Sequence, residues 1–563
     1  MAKANILFLM ADQLRWDAVL PPEVGLGFAP NLEQLALDGA SVRYSYTSTP
    51  TCTPARAAIL TGKSPWNHGM LGYGKIADSY PMEIAAVLAK AGYKTASVGK
   101  NHFGWNKTTD SGVKHGYRST DLYDGLGDFV RGDVTGENDD YDRWFQKQLP
   151  GFDPTPTGQG FDRWNGWKAR AYAYPEWMHP TAWTGRSAIE FITQYMQEPE
   201  PRDPFLLKVS FHRPHSPYDP PQRVLDMVKE ADLPPVHVCK SALPGEAEVQ
   251  GSAWCLRYRG GVGEAPGCGP EDPAAWCGKM PETDLKLTRR AYLASVRFMD
   301  EWIGEILFEL ERQDLLESTW LLFTSDHGDG QGDMYHFRKG YPYEFSAHVP
   351  LILRWPELWS TQQVAAGSFL VPRGTIIEPP VVSELRDILH TFVDIAGLSR
   401  DSRLLPLPGV TTLPFLPQDG KSLLCLLRDP TGLLDCEYPP NPGPWRSWLD
   451  LEHSTVYNET VHWNALTDGQ MKYVYRAFFP DEQLFNLTAD RYETVDLSSD
   501  PRYAAELLKW RTRMIEQFEL EGRGPEFVEN HELVQRTKGR VYSPNYPREQ
   551  LPIEDLDLVP LVV

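Results

Sequence analysis

No apolar run in the 563-residue chain is long enough to cross a bilayer. The longest, such as ANILFLM and STWLLFT, stop far short of the roughly 20 residues that a spanning helix needs. Basic residues are in deficit, 55 Lys and Arg against 76 Asp and Glu, for a formal net charge of −21. That balance argues against a general nucleic-acid binder. It leaves room for a pocket in which a few cations face an anionic small molecule. Internal repeats and low-complexity tracts are absent, which removes solenoids and disordered scaffolds. A secretory leader is missing too: MAKANILFLMADQ runs straight into what reads as a buried strand. The expected location is therefore cytoplasmic, with a periplasmic or secreted protein only if a leader was removed, and no membrane partner is expected.

Cysteine is sparse. Of seven, Cys239, Cys255, Cys268 and Cys277 fall in one Gly- and Pro-bearing stretch, and Cys425 and Cys436 lie further on. Their spacing lacks the paired short knuckles of a zinc site. The even number left after Cys52 permits disulfides, but without a leader reduced thiols are the favoured expectation.

What the chain does have is alternation. NILFLMAD is a continuous apolar run ending in acid, as expected of a central parallel strand. MEIAAVLAKAGYKTASVGK reads as helix then strand. RSAIEFITQYM leads to PFLLKVSFHRPH, and TRRAYLASVRFMDEWIGEILFELERQ precedes TWLLFTSDHGD. Reactive-looking residues recur just after these strands, the layout of an α/β sheet with its site at the carboxyl ends. A surface insert is expected at 233–286. After a linker-like DCEYPPNPGPWRSW, the strands MKYVYRAF and DEQLFNLTAD and a helix suggest a smaller C-terminal α+β domain. The expected division is a large α/β domain over 1–434 and the smaller one over 435–563.

The chemistry centres on STPTCTPARAAILTG. Pro54 suits the first turn of a helix, which puts Cys52 at its amino-terminal end, where free N–H groups favour an anion. A thiol phosphatase would need five residues between cysteine and arginine; three separate Cys52 from Arg56, so that reading fails. A structural cysteine capping a helix is the plain alternative. Elsewhere MADQ gives Asp12 and Gln13, a carboxylate and an amide carbonyl suited to a hard cation, and FTSDHGD gives Asp326 and His327 after another apolar strand. VGKNHFG gives Lys100 and His102, two apart in extended chain and able to face one pocket.

CTPARAAILTG resembles the sulfatase signature Cys-x-Pro-x-Arg followed by Leu/Met-Thr-Gly, with Ala55 where Ser is commoner. The other elements follow in family order: Asp12-Gln13, Lys100-x-His102, the Pro-His-x-Pro carrying His215, Asp326-His327, and HFRKGYPYE with Lys339. The resemblance covers most of the chain. It implies an alkaline phosphatase-like fold: a large mixed, mostly parallel sheet sandwiched by helices. It implies hydrolysis of sulfate monoesters, aryl or carbohydrate, by the hydrated formylglycine that a formylglycine-generating enzyme makes from Cys52. The catalytic residues it carries over are Cys52, Arg56, Lys100, His102, His215 and Lys339. Asp12, Gln13, Asp326 and His327, with modified Cys52, would hold one divalent metal. Calcium is favoured, with magnesium and manganese behind it because His327 is a less usual calcium partner.

Other residues near these motifs are expected to do less. His212 and Arg213 are weaker candidates than His215 to touch the sulfate, with a surface role favoured for each; Asp329 and Asp333 read as loop residues, and His336 as a weak neighbour of the site. His348 stands where the family has Arg, a change expected to loosen a structural contact. Trp177 and Trp183 are candidate sugar-stacking residues, or core, and His179 and Arg186 candidates to meet an acidic sugar. Three rivals remain: a phosphonate or phosphate ester hydrolase of the same superfamily, a non-catalytic sulfated-glycan binder, and a phosphomutase-like relative. The last needs a hydroxyl at position 52, where Thr51 and Thr53 are out of register.

Overall fold

A computed structural model describes residues 3–19, 27–103, 114–125, 139–156, 158–161, 166–239, 280–365, 368–398, 419–436, 443–454 and 462–547. The chain builds β1 (Asn5–Asp12), β2 (Ala40–Val42), β3 (Ser45–Tyr46), β4 (Lys94–Gly99), β5 (Ser119–Leu122), β6 (Phe205–Pro214) and β7 (Thr319–Ser325). It continues with β8 (His348–Val349), β9 (Leu351–Arg354), β10 (Thr375–Ile377) and β11 (Ser383–Glu384). Eight of these strands form one sheet in the order β10-β2-β9-β7-β1-β6-β4-β5. All its pairs are parallel except those made by β9 with β2 and β7, so the sheet is mixed and mostly parallel, as expected.

β1 shows why an unbroken apolar run was needed. Ile6, Phe8 and Met10 enter a core with the helices Cys52–Thr61, Ile84–Lys90 and Asp387–Ile395. Leu7, Leu9 and Ala11 enter a second core with the helices Pro180–Met196 and Glu282–Arg312. Side chains that alternate across a strand buried on both faces must all be apolar. A separate antiparallel sheet follows, β12 (Leu449–His453), β13 (Trp463–Thr467), β14 (Met471–Arg476) and β15 (Asp481–Asn486), with the helix Ala504–Leu520 against it. No helix among the described residues is long and apolar enough to cross a membrane.

The cysteines depart from the expectation of reduced thiols. Cys425 and Cys436 form a disulfide with Cα atoms 5.6 Å apart, within the span such a bond needs, and Cys239 is disulfide-bonded as well. Cys52 is free and buried. Cys255, Cys268 and Cys277, and most of the expected insert, lie outside the described residues.

Candidate active site

The sheet assembles the site by register. β1 and β7 run parallel with Ala11 opposite Ser325, so Asp12 and Asp326 emerge side by side. On the other flank β6 ends at Pro214, and the His215 N–H donates to the Asp12 carbonyl at 3.1 Å. β4 delivers Lys100 one residue past its end. The helix Cys52–Thr61 points its first residue at the same edge, and the Thr51 side chain before it does not cap its amino terminus.

Around Cys52 Sγ stand His327 Nε2 at 3.3 Å, Lys339 Nζ at 3.3 Å, Asp12 Oδ1 at 3.9 Å and Lys100 Nζ at 4.0 Å. All five residues are buried. Lys100 Nζ lies 2.5 Å from Asp12 Oδ2, and Lys339 Nζ 2.8 Å from His215 Nε2. The Arg56 guanidinium bridges Asp12 at 3.3 Å and Asp326 at 3.0 Å while donating to the Lys100 carbonyl. It thus braces the carboxylates from behind. His102 Nε2 is 3.4 Å from the Tyr73 hydroxyl, and its contacts are with Tyr73 rather than Cys52.

The field these groups make is strong because none is solvated. Burial and Asp12 push the Cys52 thiol up, yet Lys100, Lys339 and His327 outweigh them and hold it well below its ordinary value. Burial raises the Asp326 carboxyl, helped by Asp12, whereas Lys100 and its cationic neighbours overcome burial to keep Asp12 ionised. Burial and Lys339 drive His215 well below its ordinary value, so its imidazole is neutral.

Asp12, Cys52, Asp326 and His327 present ligand atoms within 4.8 Å of one another. Two details fit a cation there. His327 Nδ1 lies 3.0 Å from the Gly328 carbonyl and donates to it, which turns Nε2 toward the group as the nitrogen that can exchange its proton for a cation. The Gln13 amide nitrogen donates to Asp329 Oδ2 at 2.6 Å, which fixes its orientation and leaves Gln13 Oε1 buried without a partner among the described residues. Carboxylate, amide and imidazole donors of this kind suit a hard divalent ion.

Several neighbours take other places than expected. Asp329 is no ordinary loop residue: buried, it also accepts from the Tyr218 hydroxyl at 2.7 Å and from Gln331. Asp333 pairs with Arg15 at 2.7 Å. His212 and Arg213 are buried, not on the surface, because Arg213 is held bidentate by Asp219 at 2.6 and 2.8 Å. Trp183 belongs to an aromatic core with Tyr141 and Phe145, and His179 is buried beside Asp219. Trp177 is half exposed, and Arg186 lies over its ring. His336 packs on Tyr341 and Phe345. His348 is buried and well held. It stacks on Trp16 at 4.6 Å and bonds Glu344 at 2.7 Å and the Arg43 carbonyl at 2.8 Å.

Residues that no motif announced support the site as well. Asp124 Oδ1 accepts from the backbone N–H groups of Asn101 and His102 at 2.7 and 2.9 Å and so shapes the Lys100–His102 turn. From the C-terminal sheet, His453 Nε2 reaches Thr51 Oγ1 at 3.1 Å, next to Cys52.

A family model described as Sulfatase matches residues 4–398. An arylsulfatase of Clostridium perfringens is 30% identical over 94% of this chain and 97% of its own. A choline-sulfatase of Rhizobium meliloti is 28% identical over 89% and 83%. Among solved structures, a phosphonate monoester hydrolase from Silicibacter pomeroyi superposes with a TM-score of 0.63 at 22% identity, covering 92% of this chain and 95% of that one. BT4656, solved with its substrate D-glucosamine-2-N,6-O-disulfate, gives 0.62 at 19% identity over 93% and 99%.

Proposed function

We propose that this chain, which belongs to the sulfatase family and is a sulfuric ester hydrolase, cleaves its substrate with a formylglycine formed from Cys52. The observation that carries this reading is the surroundings of Cys52: two lysines and a histidine within 4.0 Å, beside a cluster suited to a cation. Maturation by a formylglycine-generating enzyme would replace the thiol by an aldehyde whose hydrate has two hydroxyls, one to attack sulfur and one whose deprotonation lets sulfate leave. A divalent ion held by Asp12, Gln13, Asp326 and His327 would supply positive charge to the sulfate oxygens and to the attacking hydroxyl. Calcium suits the oxygen donors best, and His327 leaves magnesium and manganese open.

The chain's own residues do the rest. Lys100 balances Asp12 and offers charge to a sulfuryl oxygen. Lys339 and His215, in mutual contact, bind the transferred group, and Lys339 protonates the departing ester oxygen. His102 is assigned the base for the second step. Arg56 holds the two carboxylates in register. Sulfated aryl or carbohydrate alcohols are the proposed substrates.

Mass analysis of the tryptic peptide Tyr44–Arg56, from protein co-produced with the maturing enzyme, tests the nucleophile. The expected product has lost sulfur and two hydrogens, gained oxygen, and reacts with aldehyde probes; an intact thiol in cells that mature a control sulfatase would refute it. The fold likeness to a phosphonate monoester hydrolase makes the rival reading concrete. Lys100 and His102 favour sulfate, so an aryl sulfate is expected to turn over faster than the matching phosphonate monoester.

A further inference from the structure

His212 sits near the end of β6, three residues before His215, and is 2% exposed. Its Nδ1 lies 2.6 Å from an Arg213 guanidinium nitrogen, and Arg213 is itself clamped by both oxygens of Asp219. A guanidinium only donates, so Nδ1 must accept and the ring proton is on Nε2. Among the described residues that Nε2–H has no hydrogen-bond partner, although it is buried. An unpaired buried donor costs about 1–3 kcal/mol, and native structures keep few of them without a use.

The environment says what kind of partner is missing. The His212 ring stands 4.9 Å from that of His215 and 5.5 Å from that of Tyr123. Burial holds the imidazole neutral, and the charges of Lys100 and Lys339 reinforce this. A Cβ on Gly125 would come within 2.7 Å of Nε2, so only glycine can pack this closely beside that edge of the ring. The unpaired group is thus one more donor beside His215, on the side of the site that also carries Lys100 and Lys339.

We propose that His212 is a further substrate-contacting residue, whose Nε2–H donates to an oxygen of the bound sulfate ester. The inference rests on the reading of the pocket given above. A contact made equally before and during bond breaking changes KM and leaves kcat alone.

The test compares His212→Leu, which removes the donor, with His212→Gln, which can restore one, in the matured full chain with 4-nitrophenyl sulfate. H212L is expected to raise KM roughly ten- to hundredfold with kcat little changed, and H212Q to recover most of the loss. If the inhibition constant of inorganic sulfate rises in parallel, the acceptor is a sulfuryl oxygen; if only the ester's KM rises, it belongs to the alcohol portion. An unchanged KM in a folded H212L, or an equal loss in H212Q, overturns the proposal. Should H212L fail to fold, a structure of the C52A variant with the aryl sulfate bound decides. An ester oxygen within about 3.2 Å of Nε2 is expected, and none in reach overturns it. Wild-type turnover of the sulfate separates this failure from that of the functional reading. If only a phosphonate monoester turns over, the same variants are read on that ester.

Discussion

Lys339 Nζ stands 3.3 Å from Cys52 Sγ and 2.8 Å from His215 Nε2. An ammonium there can give its proton to a departing oxygen and draw stability from the neutral imidazole beside it. Lys339→Ala is therefore expected to lower kcat about a hundredfold or more for alkyl sulfates, whose alkoxides leave poorly, and less than about tenfold for 4-nitrophenyl sulfate. A flat dependence on the leaving group would remove Lys339 as the acid. Asp329 acts one step further out, by turning the Gln13 amide so that its oxygen is the free end. Asp329→Asn should weaken divalent-ion binding roughly ten- to hundredfold, read by calorimetry on the apo protein. The residues in direct reach of Cys52 were legible because their chemistry restricts them to few types in fixed order. Asp329, Asp124 and His212 were not, since an acid in a loop or a histidine beside an arginine looks solvated until the packing buries it.

At the scale of elements, the strands ending in reactive residues could be read from β1, β6 and β7, because a strand buried on both faces admits little but apolar side chains. Caps supplied from elsewhere could not. The helix Pro30–Leu37 has Ala29 before it and no capping side chain of its own. Its free N–H groups go instead to Asp300, on the helix Glu282–Arg312: Asn31 N at 3.0 Å and Leu32 N at 2.9 Å. Burial lifts the Asp300 carboxyl to about 6, with those backbone donors pulling the other way. A carboxyl raised on folding adds stability that is complete below its unfolded value, near 3.8, and lost as pH rises through about 6. Asp300→Asn is expected to flatten the fall in melting temperature across that window. A variant with the wild-type slope would assign the titration to another group.

Over the whole molecule, the C-terminal sheet shares a core with the segments around β3 and β8, which with β11 form a small sheet of their own beside the catalytic one. Tyr44, Tyr46, Tyr343 and Phe345 pack with Leu451, Trp463, Val474 and Phe485. The compositional change near 435 is therefore visible in sequence, while this common core, formed between segments far apart in the chain, is not. Inside the junction Lys472 on β14 lies 2.6 Å from Glu344 and 2.8 Å from Glu493, all three buried. Burial pushes Glu493 up to about 7, whereas Lys472 and His348 overcome burial to hold Glu344 at about 2. The Glu493 contribution is thus present in acid and lost as pH rises through 7, and the Glu344 contribution disappears only in strong acid. Removing the one ammonium that both carboxylates share should cost about 3–5 kcal/mol where both are ionised. Lys472→Met is accordingly expected to melt several degrees below wild type at pH 8 and to recover much of that deficit at pH 5, where Glu493 carries a proton. Equal deficits at the two pH values would mean that Lys472 holds the junction by packing alone, without help from this charge.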